Sequence, residues 1–357
     1  MSWIAVRGPE TAWTCPDTFG GADGTTTQLQ TRGSIVIETR IGADERPQTL
    51  LGYERRHPWT GRIAFQAVPG GGVVVILAQG EQLFHAVIPP ENSARTETLR
   101  LTYSWDAPER WGRLAVERPE TGSVRMIDTP APPPLMAEDL YTIIHRPELC
   151  DCDPDVIFCA VSDQIEPVGP MPSITESMPV ETPRGPVRAG ALRSGDVVRT
   201  VNHGPQRILA VVRRHVPAIG SFRPVTLRAP YLGLTRDIRV APGQRLVIGG
   251  PDVEYIFGRE TVLIPADALA HGFTGTVSET RDFVTYLQFV VPQHDALIVS
   301  GAGLESLYLG RLRRDRTALS ASLLCDHDPA QLPEHVRAGY QTLGPFEAAT
   351  LAQTRAA

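Results

Sequence analysis

Short apolar runs rich in valine, isoleucine and leucine recur along the whole chain, and each is stopped by glycine or proline. The 357 residues hold 32 glycines and 32 prolines. Proline removes a backbone donor and breaks helices, while glycine opens turns. Branched side chains suit a pleated strand. Gly33–Arg40 alternates, with Ile35, Ile37 and Thr39 on one face. Leu50–Tyr53, Arg62–Phe65, Val73–Leu77, Gln82–Val87, Leu99–Tyr103 and Gly112–Glu117 follow at regular spacing. Strands this short and frequent predict an all-β chain. Its first 130 residues read as an antiparallel β-sandwich, a brief helix fits Pro265–Ala270, and helical spacing marks a short C-terminal tail.

Length allows two domains of ordinary size. Hydrophobic content of 42% is that of a globular protein. A net charge of -6 gives no reason to expect a nucleic-acid or membrane partner. All 34 basic residues are arginine, which removes lysine Schiff-base chemistry and a P-loop. The longest strongly apolar run, Val73 to Ala78, is far short of a membrane span. The stretch MSWIAVRGPETAW has no apolar signal core. A cytoplasmic location is therefore the default expectation, with secretion by a route needing no such signal as the alternative. Five cysteines do not suggest a disulfide scaffold.

All five tryptophans, Trp3, Trp13, Trp59, Trp105 and Trp111, fall in the first 130 residues. Core packing is the preferred reading, and an aromatic platform for a glycan or protein ligand is the alternative. The sequence LRLTYSWDAPERWGRLAVERPETG resembles the late strands of laminin-G-like (concanavalin-like) sandwiches. Residues 131–172 read as a Pro-rich connector opening with Ala131-Pro132-Pro133-Pro134. Leu140–Ile144 fits a strand or a short helix. Cys150, Cys152, Cys159 and His145 offer zinc-ligand chemistry, but their spacing matches no zinc pattern. Asp151, Asp153 and Asp155 start like a calcium loop that Val156 and Ser162 then break. No metal and no cofactor are expected.

Residues 173–196 carry the most specific signal. Ser173 follows Pro172, then come a strand-like Met178-Pro179-Val180-Glu181-Thr182, a Pro183-Arg184-Gly185 turn and Arg193-Ser194-Gly195-Asp196. Further blocks are Asp196–Thr200, a turn at Asn202–Gln206, Arg236–Leu246, Gln293-His294-Asp295 and Glu305-Ser306-Leu307. In this order they resemble the bacterial Hedgehog/intein (Hint) domain, over residues 173–312. A strand over Arg207–Val212 and an inserted segment at Glu254–Phe257 are expected within it. Residues 313–357 form the tail, with helical spacing at Thr317–Leu324 and Phe346–Arg355.

The resemblance implies a self-processing chemistry. In active members the first residue attacks the carbonyl before it, and a histidine protonates the departing amide nitrogen. Here Ser173 stands at the position of the usual cysteine. Ala241 and Gln244 stand where the family has a hydroxyl residue and that histidine. A serine hydroxyl is protonated at neutral pH, and glutamine cannot deliver a proton as imidazolium does. Pro172 stiffens the bond that would have to distort. The expectation is a degenerate Hint module acting as scaffold or binding unit, with His294 the one family-like histidine placed to rescue slow cleavage at Pro172–Ser173. Splicing also needs a terminal asparagine after histidine, and the chain has only Asn92 and Asn202. Neither a G-x-S-x-G elbow, an H-E-x-x-H helix nor a G-x-G-x-x-G loop occurs.

Overall fold

The computed structural model describes residues 2–19, 28–42, 46–57, 59–90, 97–278, 283–336 and 339–356. It is built of strands and divides into two compact units, Met1–Val168 and Gly169–Ala357.

The first unit is a sandwich of two antiparallel sheets. One has seven strands in the order Ser123–Thr129, Trp111–Arg118, Glu97–Asp106, Arg32–Ile41, Val156–Ser162, Trp3–Arg7 and Ala12–Thr14. The other has five: Cys150–Asp151, Gln48–Arg55, Gly61–Val68, Gly72–Gln79 and Gln82–Ile88. Alternation puts Ile35 and Ile37 of one sheet, and Phe65, Val75 and Leu77 of the other, into one core. Tyr103 is its centre, 5.9 Å from the Phe65 ring and stacked at 6.0 Å on Trp105. Complete burial of an apolar side chain such as that of Phe65 stabilises by about 1.5–3 kcal/mol. Trp3 and Trp105 are buried, as core packing requires, and Trp13 and Trp111 are half-buried. Trp59 is the exception, 45% exposed beneath the Arg55 guanidinium at 5.0 Å.

The connector expectation for 131–172 does not match the structure. Val156–Ser162 pairs with both Arg32–Ile41 and Trp3–Arg7 and lies inside the large sheet. Ala137–His145 is a helix whose Leu140, Ile143 and Ile144 join the sandwich core. Proline spacing marked a break in periodicity here, while the chain still had apolar surface to bury.

The second unit has two sheets among the described residues. The first runs Ala210–Pro217, Phe283–Val290, Ile174–Thr175, Ile238–Val240, Val225–Leu227 and Gly275–Val277. The second contains Gly185–Arg188, Pro179–Thr182, Ala296–Val299, Ala302–Glu305, Arg245–Gly249, Thr261–Pro265 and Gln341–Thr342, with the hairpin Val197–Thr200/Gly204–Arg207 attached to Ala296–Val299. Their inner faces share Ile174, Val180, Val240, Leu246, Leu287 and Leu304. The two-residue turn Ser300-Gly301 has φ of 49° and 89°, the primed turn whose twist matches a hairpin. The strand expected over Arg207–Val212 is broken at 208–209, because Gly204–Arg207 folds back on Val197–Thr200 before Ala210 starts a new strand. The inserted segment is a helix, Pro251–Phe257, closed by Gly258 at φ 63°. The tail packs within this unit: Gln341–Thr342 adds a parallel strand, and Ala348 and Leu351 of the helix Pro345–Ala356 are buried in the same core.

Candidate functional site

Strand pairing brings Ser173 and Gln244 together. Ile174 is paired on one side with Val240 and on the other with Leu287. The Ser173 carbonyl accepts the Ala241 N–H at 2.7 Å, which fixes Ser173 beside the turn Ala241–Gln244. Gln244 closes that turn by donating its N–H to the Ala241 carbonyl at 3.0 Å. Gln288 is the residue after Leu287, so it flanks Ser173 from the other strand.

The result is a small network of neutral groups. The Ser173 hydroxyl donates to Gln244 Oε1 at 2.5 Å. Gln288 Nε2 lies 3.1 Å from Ser173 Oγ, 3.0 Å from Gln244 Oε1 and 2.9 Å from the Glu305 carbonyl. Gln244 Nε2 donates to the Arg245 carbonyl at 2.7 Å and to the Glu305 carbonyl at 3.3 Å. Both glutamines are only 2% exposed. An amide oxygen accepts the serine hydrogen bond without taking the proton, and an amide nitrogen only donates. Nothing in this set is a base.

His294 is placed elsewhere. Its Nδ1 accepts the Gly339 N–H at 3.1 Å, which leaves Nε2–H to donate to Glu305 Oε1 at 3.0 Å. Arg245 holds the same carboxylate at 3.2 Å. Both ring nitrogens are committed, so Ser173 and Gln244 come together whereas His294 serves Glu305 and the tail. Glu305 joins the two places, with its carbonyl in the serine network and its carboxylate on His294 and Arg245.

Gln288 was missed in the sequence. Its signal was present: it is a lone amide inside Phe283–Val290, where Tyr286, Leu287, Phe289 and Val290 are buried. A polar side chain in such a strand needs partners. Asp295 was read only as part of a family block. It is fully buried and receives the N–H groups of Asn202, His203 and Ala296, His203 Nδ1 and the Tyr340 hydroxyl. Burial pushes its pKa up, but the donors of Ala296, His203, Tyr340 and Thr200 together outweigh burial and hold the carboxyl below its usual range.

The candidate zinc set is not assembled. His145 Nε2 is bonded to the Thr14 hydroxyl at 3.0 Å, and the Cys152 thiol to the Leu50 carbonyl at 3.2 Å. Among the described residues no group of three His, Cys, Asp or Glu side chains is arranged to hold a metal ion. No helix among them is long and apolar enough to cross a membrane.

The family model of the Hint domain matches residues 172–311. No curated protein matches the chain. Among solved structures, the chain is similar to a bacterial intein-like domain from Clostridium thermocellum, at 12% identity over 38% of this chain and 99% of that one, with a TM-score of 0.28. It is also similar to the CBM40 of the Ruminococcus gnavus IT-sialidase, at 13% identity over 46% of this chain and 88% of that one, TM-score 0.30. A third is the mouse laminin alpha1 chain, domains LG4-5, at 8% identity over 85% and 75%, TM-score 0.20. The matched span takes in the strands that gather Ser173, Gln244 and Gln288, and the chain thus carries a Hint domain over residues 172–311.

Proposed function

We propose that this Hint domain acts as a scaffold or binding unit that leaves the Pro172–Ser173 bond intact. The observation that carries this reading is the partner set of the Ser173 hydroxyl: two buried amides, Gln244 and Gln288, at 2.5 and 3.1 Å. Acyl shift needs a base for the hydroxyl and an acid for the leaving nitrogen. The amides supply neither, and His294 is tied to Glu305 and Gly339. Incubation of the full chain with hydroxylamine tests the proposal, because that nucleophile traps an ester at Ser173. An uncleaved band supports it. A fragment beginning at Ser173, lost in Ser173→Ala, defeats it and favours slow self-processing.

A second reading concerns the sandwich, and one observation favours it. Trp59 is 45% exposed, and the Arg55 guanidinium 5.0 Å from its ring is buried and paired with Asp139, so an aromatic surface held in place stands at solvent. Such a surface suits a glycan or protein ligand. Glycan-array binding abolished by Trp59→Ala supports this; binding that survives the substitution removes it.

A further inference from the structure

Residues 332–336 are held within the second unit by the buried Leu332, by Arg313 on the Leu332 carbonyl and by an imidazole. Leu332 is buried with Leu307, Leu309, Leu319 and Leu324 against Val212 and Val290. Three residues on, His335 is 3% exposed, and its backbone N–H donates to the Gly310 carbonyl at 2.9 Å. Its ring uses both nitrogens. Nδ1 accepts the Leu309 N–H at 3.1 Å, so Nε2–H donates to the Val291 carbonyl at 3.1 Å. Neutral imidazole alone can accept at one nitrogen and donate at the other. Imidazolium would turn an N–H toward the Leu309 N–H and leave both without an acceptor.

The groups facing this ring offer no carboxylate in direct contact. His294 lies 5.6 Å away and Tyr308 5.9 Å, ring centre to ring centre. Glu305 is occupied by His294 and Arg245. Glu334 is held by Arg313 at 2.6 Å and Arg314 at 2.7 Å. His203 and Asp295 are bonded to each other at 2.8 Å. Burial holds the His335 imidazole below its usual range; His294 adds to this, and Val291 and Glu305 oppose it.

We infer that His335 is an acid-released bolt: its protonation breaks its bonds to Leu309 and Val291 and loosens residues 332–336, whose remaining anchors are Leu332 and the contacts of Arg313 and Arg314. The direction follows from linkage. The folded pKa lies below that of the unfolded chain, so the stabilisation is complete above about pH 6.5 and is lost as pH falls from there through the folded value. Release opens a defined place. A cleft of about 410 Å³ is lined by His203, Pro292, Gln293 and His294, and by Glu334, His335, Val336 and Gly339. Lifting 332–336 takes away part of its wall and uncovers His294.

Hydrogen–deuterium exchange of the full chain at about pH 7.5 and about pH 5, corrected for intrinsic exchange, reads the bolt directly. The Leu309 and His335 amides are expected to lose protection by about tenfold or more at the lower pH, while those of Ala296–Val299 keep theirs. In His335→Asn, which carries no titrating ring, the ratio between the two conditions stays near one. Equal protection of the wild-type amides at both pH values, or the same acid loss in His335→Asn, overturns the inference. If that variant does not fold, the wild-type profile decides. Its midpoint must coincide with titration of the His335 ring followed by NMR, and a separation of about one pH unit refutes the assignment.

Discussion

Replacing Asp295 with alanine should cost the Hint domain more than any other single polar change in it. The carboxylate is fully buried and gathers five close donors, with the Thr200 hydroxyl also favouring its charged form. Asn202 and His203 are exposed, and their three donors can turn to water once it is gone. Ala296 and Tyr340 are buried, so two donors are left without partners. Each unsatisfied buried group costs about 1–3 kcal/mol, and lost charge-assisted bonds add to that. The expected loss is roughly 3–5 kcal/mol, a large share of the 5–15 kcal/mol typical of a domain. Urea unfolding followed by far-ultraviolet ellipticity measures it. All five tryptophans lie in the first unit, so fluorescence reports that unit and distinguishes its transition. The effect also has a pH signature. The Asp295 pKa is held down in the fold, so its stabilisation is present above about pH 3.9 and lost as pH falls through the folded value. The gap between wild type and Asp295→Ala should therefore narrow in strong acid. A loss below about 1 kcal/mol near neutrality refutes the assignment of Asp295 as the group that fastens the 202–203 turn and the tail.

Two further outcomes follow from burial. Leu351 is fully buried in the Hint core although it belongs to the tail, so Leu351→Ala should lower the stability of the second unit by about 2–4 kcal/mol in the same urea assay; a change near zero would detach the tail from that core. Among the thiols, Cys325 is exposed whereas Cys159 is buried and its pKa is pushed up to about 12. A disulfide reagent applied to the folded chain at about pH 8 should modify Cys325 first and leave Cys159 for denaturant. Early labelling of Cys159 contradicts the packing described.

The sequence exposed strands wherever a short run of branched residues is bounded by turn or polar residues, as in Gly33–Arg40. It hid Val156–Ser162, whose last five residues, Phe158–Ser162, are all buried. Such a run has no period of two, and it follows prolines and aspartates that read as a linker. Ser173 and Gln244 could be singled out because both stand in blocks that resemble the Hint domain, but the bond between their side chains was not read from the sequence. Nor was the role of Gln288, because it depends on which strand lies beside Ile174, and strand order is a long-range choice. His294 shows the limit from the other side. Its family position was readable, but its orientation is set by Gly339 in the tail and by Glu305, which no local pattern reveals.

The most direct measurement is the mass of the purified full chain, followed over days at neutral pH. A hydroxyl held by two amides should leave one species at 38.9 kDa, with or without hydroxylamine. Two fragments split ahead of Ser173, accumulating in the wild type and absent from Ser173→Ala, would contradict the account.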